Sequence, residues 1–175
     1  MKKDQILSLK QEIEELLSSR DMAQATSTLK SISVEHIPEA LRAEFANLAR
    51  RLNMPKLALK ILWKQIHEKN SKKKADHYEY ANCLRKIGLN HEALRILSQL
   101  EADPEVQLVK AFCYMSQWNY FAALKEIEGA LSMEDQIEHS RLLVFQVNKI
   151  ACLVEIGEVK SAQLLIESLL LNHLI

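Results

Sequence analysis

Cysteine and histidine are the side chains of this sequence best suited to metal binding or nucleophilic chemistry. The chain has 175 residues, with three cysteines and six histidines. No two histidines lie four residues apart, the spacing that puts two imidazole ligands on one face of a helix. The sequence also has no HExxH helix, glycine-rich phosphate loop or GxSxG turn. It therefore predicts no metal, no cofactor and no catalytic residues.

An internal repeat explains where the cysteines fall. Five alanines, each followed four residues later by a large aliphatic residue, are spaced by 33, 35, 30 and 39 residues: Ala25, Ala58, Ala93, Ala123 and Ala162. Cys83, Cys113 and Cys152 each lie ten residues before the alanine of their own repeat. Equivalent positions in stacked helix pairs are about 10 Å apart, too far to share a zinc ion or form a disulfide. We expect three buried thiols.

The residues between the cysteines and the alanines predict a turn between two helices in every repeat. Five residues before each alanine lie Arg20, Asn53, Gly88, Trp118 and Gly157. Glycine at two of these positions indicates a left-handed residue that ends a helix. Pro55 and Pro104 occupy the first turn of a following helix, where the missing N–H costs nothing, and Pro38 is expected to do the same.

Composition agrees with a helical, water-soluble chain. Apolar residues make up 48% of the sequence, and only three glycines and three prolines are present. Lysine plus arginine equals aspartate plus glutamate, 23 against 23, so no net field attracts nucleic acid or an anionic membrane. No segment approaches the roughly 20 continuous apolar residues that span a bilayer, and no secretory signal is evident. We expect a cytoplasmic protein.

The repeats resemble those of the tetratricopeptide repeat (TPR) family, whose unit has about 34 residues. The alanine and the following aliphatic residue match in all five repeats, and the turn glycine matches in two. The tryptophan and leucine of the family's first helix and its closing proline are absent, so the repeats are degenerate. The resemblance implies an all-α, right-handed superhelical solenoid of about five helix–turn–helix repeats and about ten helices. It would form one domain over residues 1–175, with units 6–37, 38–72, 73–103, 104–139 and 140–175.

The resemblance also implies a concave groove lined by the first helix of each pair. Its positions lie seven, eight, eleven and fifteen residues before the repeat alanine. The second and third repeats place polar side chains there: Asn47, Arg50 and Arg51, then Tyr78, Asn82, Arg85 and Lys86. This set is similar to the family's carboxylate clamps, although Ala43 stands where a clamp has lysine. The alternative is a solvated helix face.

Six of the eight equivalent positions in the last two repeats are apolar, the exceptions being Ser116 and Glu155. The apolar residues are Leu108, Phe112 and Met115 in the fourth repeat and Val147, Ala151 and Val154 in the fifth. Such a surface is expected to be covered by a partner helix, a second copy of the chain or the curl of the superhelix. Segment 164–175 is apolar on more than one face, which favours a homodimer over a frayed end. The basic segment 69–74 is either a solvated loop, which is the commoner case, or a contact for an acidic partner or nucleic acid.

These patterns together predict a non-enzymatic scaffold for protein–protein interactions. Its partner would be a peptide or helix of another protein held in the groove, with no nucleic acid or membrane, as in an adaptor or a chaperone. Two alternatives remain: a structural module that dimerises through the C-terminal repeats, and a chaperone of a bacterial secretion system, which resembles this chain in length and fold.

Overall fold

A computed structural model describes residues 3–173, with side chains through residue 171, and this part of the chain is all-α. The predicted ten helices are confirmed: α1 (Lys3–Ser18), α2 (Met22–Ser31), α3 (Arg42–Arg51), α4 (Pro55–His67), α5 (Lys74–Lys86), α6 (Asn90–Leu97), α7 (Pro104–Met115), α8 (Tyr120–Leu131), α9 (His139–Glu155) and α10 (Val159–His173). Short 3-10 turns cover Val34–His36, Glu39–Leu41 and Glu134–Gln136. None of these helices combines the length and apolar character needed to cross a membrane.

All five predicted turn residues have a left-handed backbone. Their φ angles are 64° at Arg20, 57° at Asn53, 86° at Gly88, 59° at Trp118 and 88° at Gly157. In every turn this residue's N–H donates to the carbonyl three residues back, and the next N–H donates to the carbonyl five back, at 2.8–3.0 Å. These paired bonds form a Schellman motif, which satisfies carbonyls left free at the end of the first helix.

The repeat alanines lie where the second helix of each pair packs. All five are at most 2% exposed, since a methyl side chain lets a neighbouring helix approach closely. The aliphatic residues four positions later are also buried in the first four repeats: Leu29, Leu62, Leu97 and Ile127. Ile166, the equivalent residue of the fifth repeat, is 41% exposed, because no described helix packs over α10 on that side.

The chain divides after Leu89 into two compact units. In the first unit α1 packs on α2, α3 on α4, and α4 on α5, while α3 also contacts both α1 and α5. In the second unit each helix from α6 to α10 packs on the next one along the chain. The boundary falls inside the predicted repeat 73–103, so that repeat contributes helices to both units.

The prolines begin two of the helices as predicted. Pro55 and Pro104 are the first residues of α4 and α7, and the Asp103 side chain caps α7 by accepting from the Val106 N–H at 2.7 Å. Pro38 differs, because it precedes the 3-10 turn Glu39–Leu41 and α3 starts only at Arg42. The segment that joins α2 to α3 is therefore longer and more irregular than the repeat pattern predicts.

Candidate functional site

A groove of about 260 Å³ lies in the first unit, on the first helices of the first three repeats. Its lining includes three of the predicted inner-face positions, Ala43, Asn47 and Tyr78, together with Glu14, Glu44, Leu48, Ala75 and Glu79. The helices α1, α3 and α5 supply these residues because α3 packs against both of the others. The groove therefore contains inner-face positions of the second and third repeats, and three glutamates line it.

Two residues of the predicted polar groove, Asn47 and Arg50, bind the carboxylate of Glu79. Arg50 donates from Nε to Oε2 of Glu79 at 2.9 Å and from Nη2 to Oε1 at 3.3 Å. Asn47 Nδ2 donates to the same Oε1 at 2.9 Å. Burial alone lowers the pKa of Arg50, but the hydrogen bond and charge of Glu79 outweigh it and raise that pKa. The carboxylate that Asn47 and Arg50 bind thus belongs to the chain's own α5, whereas the prediction concerned the carboxylate of a partner.

A second ion-pair cluster joins α1 to α3 at the other side of the groove. Lys10 Nζ lies 3.0 Å from Glu14 Oε1 and 2.9 Å from Glu44 Oε2. Hydrogen bonds to Glu44 first and to Glu14 second raise the pKa of Lys10. One lysine shared by two carboxylates leaves this wall of the groove acidic.

The remaining predicted polar positions do not form one surface. Asn82 is buried, and its Nδ2 donates to the Tyr78 carbonyl at 3.4 Å. The prediction that Asn82 bonds a partner's backbone is therefore wrong. Arg85 is half-buried, whereas Arg51 and Lys86 are exposed. The two Asn/Arg pairs of the second and third repeats are therefore not equivalent. The Asn82 side chain bonds within α5, whereas the Asn47 side chain bonds from α3 to α5.

The predicted apolar surface of the second unit is partly core. Leu108 is 2% exposed and packs with Ala130 and Phe145, so it lies beneath the surface instead of lining a groove. Phe112 and Met115 are half-buried against the clusters around Leu108 and around Ala111, Ala123, Ile127 and Cys152. Ala151 is half-buried, and Val147 and Val154 are exposed on α9.

Both helices of the last repeat carry exposed apolar side chains. On α9, Leu143, Val147 and Val154 share one face, since they are four and eleven residues apart. On α10 the exposed residues are Val159, Leu164, Ile166, Leu170 and Leu171. Each of these side chains is at least 41% exposed, so both helices leave apolar surface uncovered in the described part of the chain.

Two solved structures share this arrangement of helices. One is the crystal structure of a single-substitution variant of a Podosopora anserina putative kinesin light chain with nearly identical TPR-like repeats, with a TM-score of 0.69, 16% identity and coverage of 94% of this chain and 92% of that one. The other is a crystal structure of the same kinesin light chain repeats, with a TM-score of 0.67, 17% identity and coverage of 93% and 92%. The sequence matches no protein-family model and no curated protein. This chain has a TPR-like repeat fold.

The thiols of the TPR-like repeats are structural. Cys83, Cys113 and Cys152 are all buried, as predicted from their shared repeat position. Burial, with a smaller contribution from Glu79, raises the pKa of Cys83 to about 12, and burial raises the pKa of Cys152. Thiols with such pKa values stay protonated at neutral pH and are poor nucleophiles and metal ligands. Within residues 3–173 no three histidine, cysteine or acidic side chains are grouped to hold a metal ion.

Glu79 is the residue of the TPR-like site that the sequence reasoning missed. It lies fourteen residues before its repeat alanine, and Glu44 lies fourteen before the alanine of the preceding repeat. Both glutamates bind a cation on the first helix of the repeat before their own. Glutamates at equivalent positions of adjacent repeats are therefore the signal that could have revealed these contacts.

Proposed function

We propose that this chain is a non-catalytic, cytoplasmic scaffold that binds a segment of another protein in the groove on α1, α3 and α5. The observation that carries the proposal is the 260 Å³ groove itself, whose walls come from the first helices of three successive repeats. An extended peptide or a helix can contact all three helices at once, which is how repeat folds offer long binding surfaces. An adaptor or chaperone would use such a surface.

The charges of the groove indicate what kind of segment fits. Arg50 and Asn47 are engaged by Glu79, so an acidic partner would have to displace a carboxylate that the fold already supplies. Glu14 and Glu44 share one lysine and retain acceptor capacity. A segment that offers N–H or ammonium donors beside a small apolar side chain is therefore the better match.

Filling the groove tests this proposal. Ala43→Tyr places a ring in the groove without removing either ion-pair cluster, and Ala40→Tyr is the matched control at an exposed position outside it. Partners captured by the immobilised full chain are identified by mass spectrometry, and the affinity of a purified partner is then measured calorimetrically. We expect Ala43→Tyr to weaken that affinity at least about tenfold with an unchanged Tm, while Ala40→Tyr binds normally. Equal affinity for both variants would contradict the proposal.

The exposed faces of α9 and α10 support a second function, self-assembly. A second copy of the chain would bury Val147 and Val154 of α9 with Leu164 and Leu171 of α10, as symmetric dimers do with apolar patches. Light scattering on the full chain should then give twice its 20.1 kDa mass. Val147→Glu/Val154→Glu should return it to monomer, whereas the control Ser161→Glu/Gln163→Glu, at exposed polar positions of α10, should not. A wild-type monomer at tens of micromolar rules this function out.

A further inference from the structure

A larger cavity, of about 490 Å³, lies in the first unit between α4 and the irregular segment that joins α2 to α3. One face of α4 forms a wall, with Leu59, Lys60, Trp63 and Lys64 at spacings of one and four residues. Val34, Glu35 and Arg42 complete the lining. No residue of this cavity belongs to the groove on α1, α3 and α5.

The charged residues of this cavity are predominantly cationic. Arg42, Lys60 and Lys64 face a single carboxylate, that of Glu35. The Ser33 hydroxyl donates to the Glu35 carboxylate, and this hydrogen bond is the main cause that lowers the Glu35 pKa, with Lys60 and Lys64 contributing. Glu35 is thus already hydrogen-bonded, and the cavity keeps an excess of positive charge.

Arg42 contributes to this lining a cationic side chain whose hydrogen bonds are incomplete. It is only 8% exposed, and its Nε donates to the Ile37 carbonyl over a long 3.4 Å. Its Nη1 is buried without a hydrogen-bond partner, and within residues 3–173 the guanidinium makes no ion pair. A buried guanidinium with an unused donor is costly, and an anionic oxygen is the group that would satisfy it.

The remaining walls are apolar. Val34 and Leu59 are half-buried, and the Trp63 ring is half exposed. That ring packs against His67 with ring centroids 4.0 Å apart and planes tilted by 34°, and His67 Nε2 lies 2.9 Å from the Tyr80 hydroxyl oxygen. These contacts support one side of the indole, so the ring can form a fixed wall for an apolar group.

We propose that this cavity binds a small organic acid: an anionic head group held by Arg42, Lys60 and Lys64, and an apolar body packed on Val34, Leu59 and Trp63. The volume lies in the range of about 300–1,000 Å³ found for small-molecule sites. The same chemistry could be carried by the C-terminal residue of a protein. We assign the free acid because the lining is confined to one face of α4, two residues of the joining segment and the first residue of α3, without the long surface that a chain would follow.

Octanoate, octanamide and acetate are suitable probes because they test the anionic head group and the apolar body of the ligand separately. The chain has two tryptophans, so Trp118→Phe leaves Trp63 as the only indole reporter. Octanoate should change its fluorescence saturably, with a Kd below about 1 mM. Octanamide, which lacks the charge, and acetate, which lacks the body, should each bind at least about tenfold more weakly. Equal responses to octanoate and octanamide would overturn the anionic assignment.

A charge-matched pair of variants locates the response. In the same background, Lys60→Gln/Lys64→Gln should weaken octanoate binding about tenfold, the control Lys30→Gln/Lys56→Gln should not, and all variants should keep the parent Tm. Lys30 and Lys56 are exposed and lie outside the lining. Equal loss in both variants would overturn the site. A short peptide with a free C-terminal leucine, compared with its amide, tests whether the anion comes from a protein's C-terminus or from a free organic acid. Tighter binding of the free peptide than of octanoate would overturn the small-molecule assignment.

Discussion

Glu79 on α5 accepts two hydrogen bonds from the guanidinium of Arg50 on α3, at 2.9 and 3.3 Å. Glu79 is almost fully buried, and Arg50 is largely so. The pair joins the first helices of adjacent repeats, and Glu79 also lines the candidate groove. A contact that the sequence analysis assigned to a partner's carboxylate is thus made within the chain, where it fixes the spacing of α3 and α5.

Removing this carboxylate should destabilise the fold. Glu79→Ala leaves a buried guanidinium unpaired, and we expect the free energy of unfolding to fall by about 3 kcal/mol in urea denaturation. Arg50→Met/Glu79→Leu should recover most of that loss, because no unpaired charge remains. The control Glu44→Ala breaks an exposed ion pair and should cost at most about 1 kcal/mol. Equal losses for the two alanine variants would show that the buried pair contributes nothing special.

Two residues at the same repeat position should respond differently to truncation. Leu97 is fully buried, so Leu97→Ala leaves a cavity and should cost about 2–5 kcal/mol. Ile166 is 41% exposed, so Ile166→Ala should cost about 1 kcal/mol or less. Denaturation at low protein concentration measures both values in the monomer. A large loss at Ile166 under those conditions would mean that the face of α10 is covered.

The left-handed turns predict opposite effects of adding and removing a side chain. A Cβ at Gly88 would meet no atom within 4 Å, so Gly88→Ala should cost only the left-handed conformation, about 1 kcal/mol. Arg20 has φ 64°, and Arg20→Gly should stabilise the fold by up to about 1 kcal/mol. Thermal melts of both variants measure the pair. A destabilising Arg20→Gly would show that its side-chain contacts outweigh the backbone strain.

The buried thiol of Cys83 predicts a loss of stability at alkaline pH. Its pKa of about 12 lies above the ordinary 9.0, so the unfolded chain releases this proton first. The protonated thiol's contribution to the free energy of unfolding is complete below about pH 9 and is lost as the pH rises toward about 12. The slope of this loss is at most about 1.4 kcal/mol per pH unit. Cys83→Ala should reduce the slope measured by urea denaturation at several pH values. An unchanged slope would contradict the assignment, whatever the variant's absolute stability.

The features that recur in every repeat were predictable from the sequence, and the features that occur once were not. Ala58 and Asn53 could be placed because the same backbone geometry appears five times, in a register that one sequence displays. Glu79 could not, because its partner depends on how two neighbouring repeats stack. Arg42 and its cavity were missed because the segment between α2 and α3 contains two 3-10 turns, which the repeat pattern does not predict. Ile166 differs from its equivalents because burial at that position depends on a helix packed over α10.

The same Schellman motif closes all five turns, so the path of the chain does not depend on the identity of any one turn residue. The bonds that close each turn come from main-chain N–H and C=O groups, so the turn forms whether the left-handed residue is glycine, asparagine, arginine or tryptophan. Each non-glycine residue costs about 1–2 kcal/mol, and three turns bear that cost. A repeat protein can accept it because the same geometry is maintained by the other copies and by the buried alanines. Mutations can therefore accumulate at these corners one by one while the path of the chain stays the same.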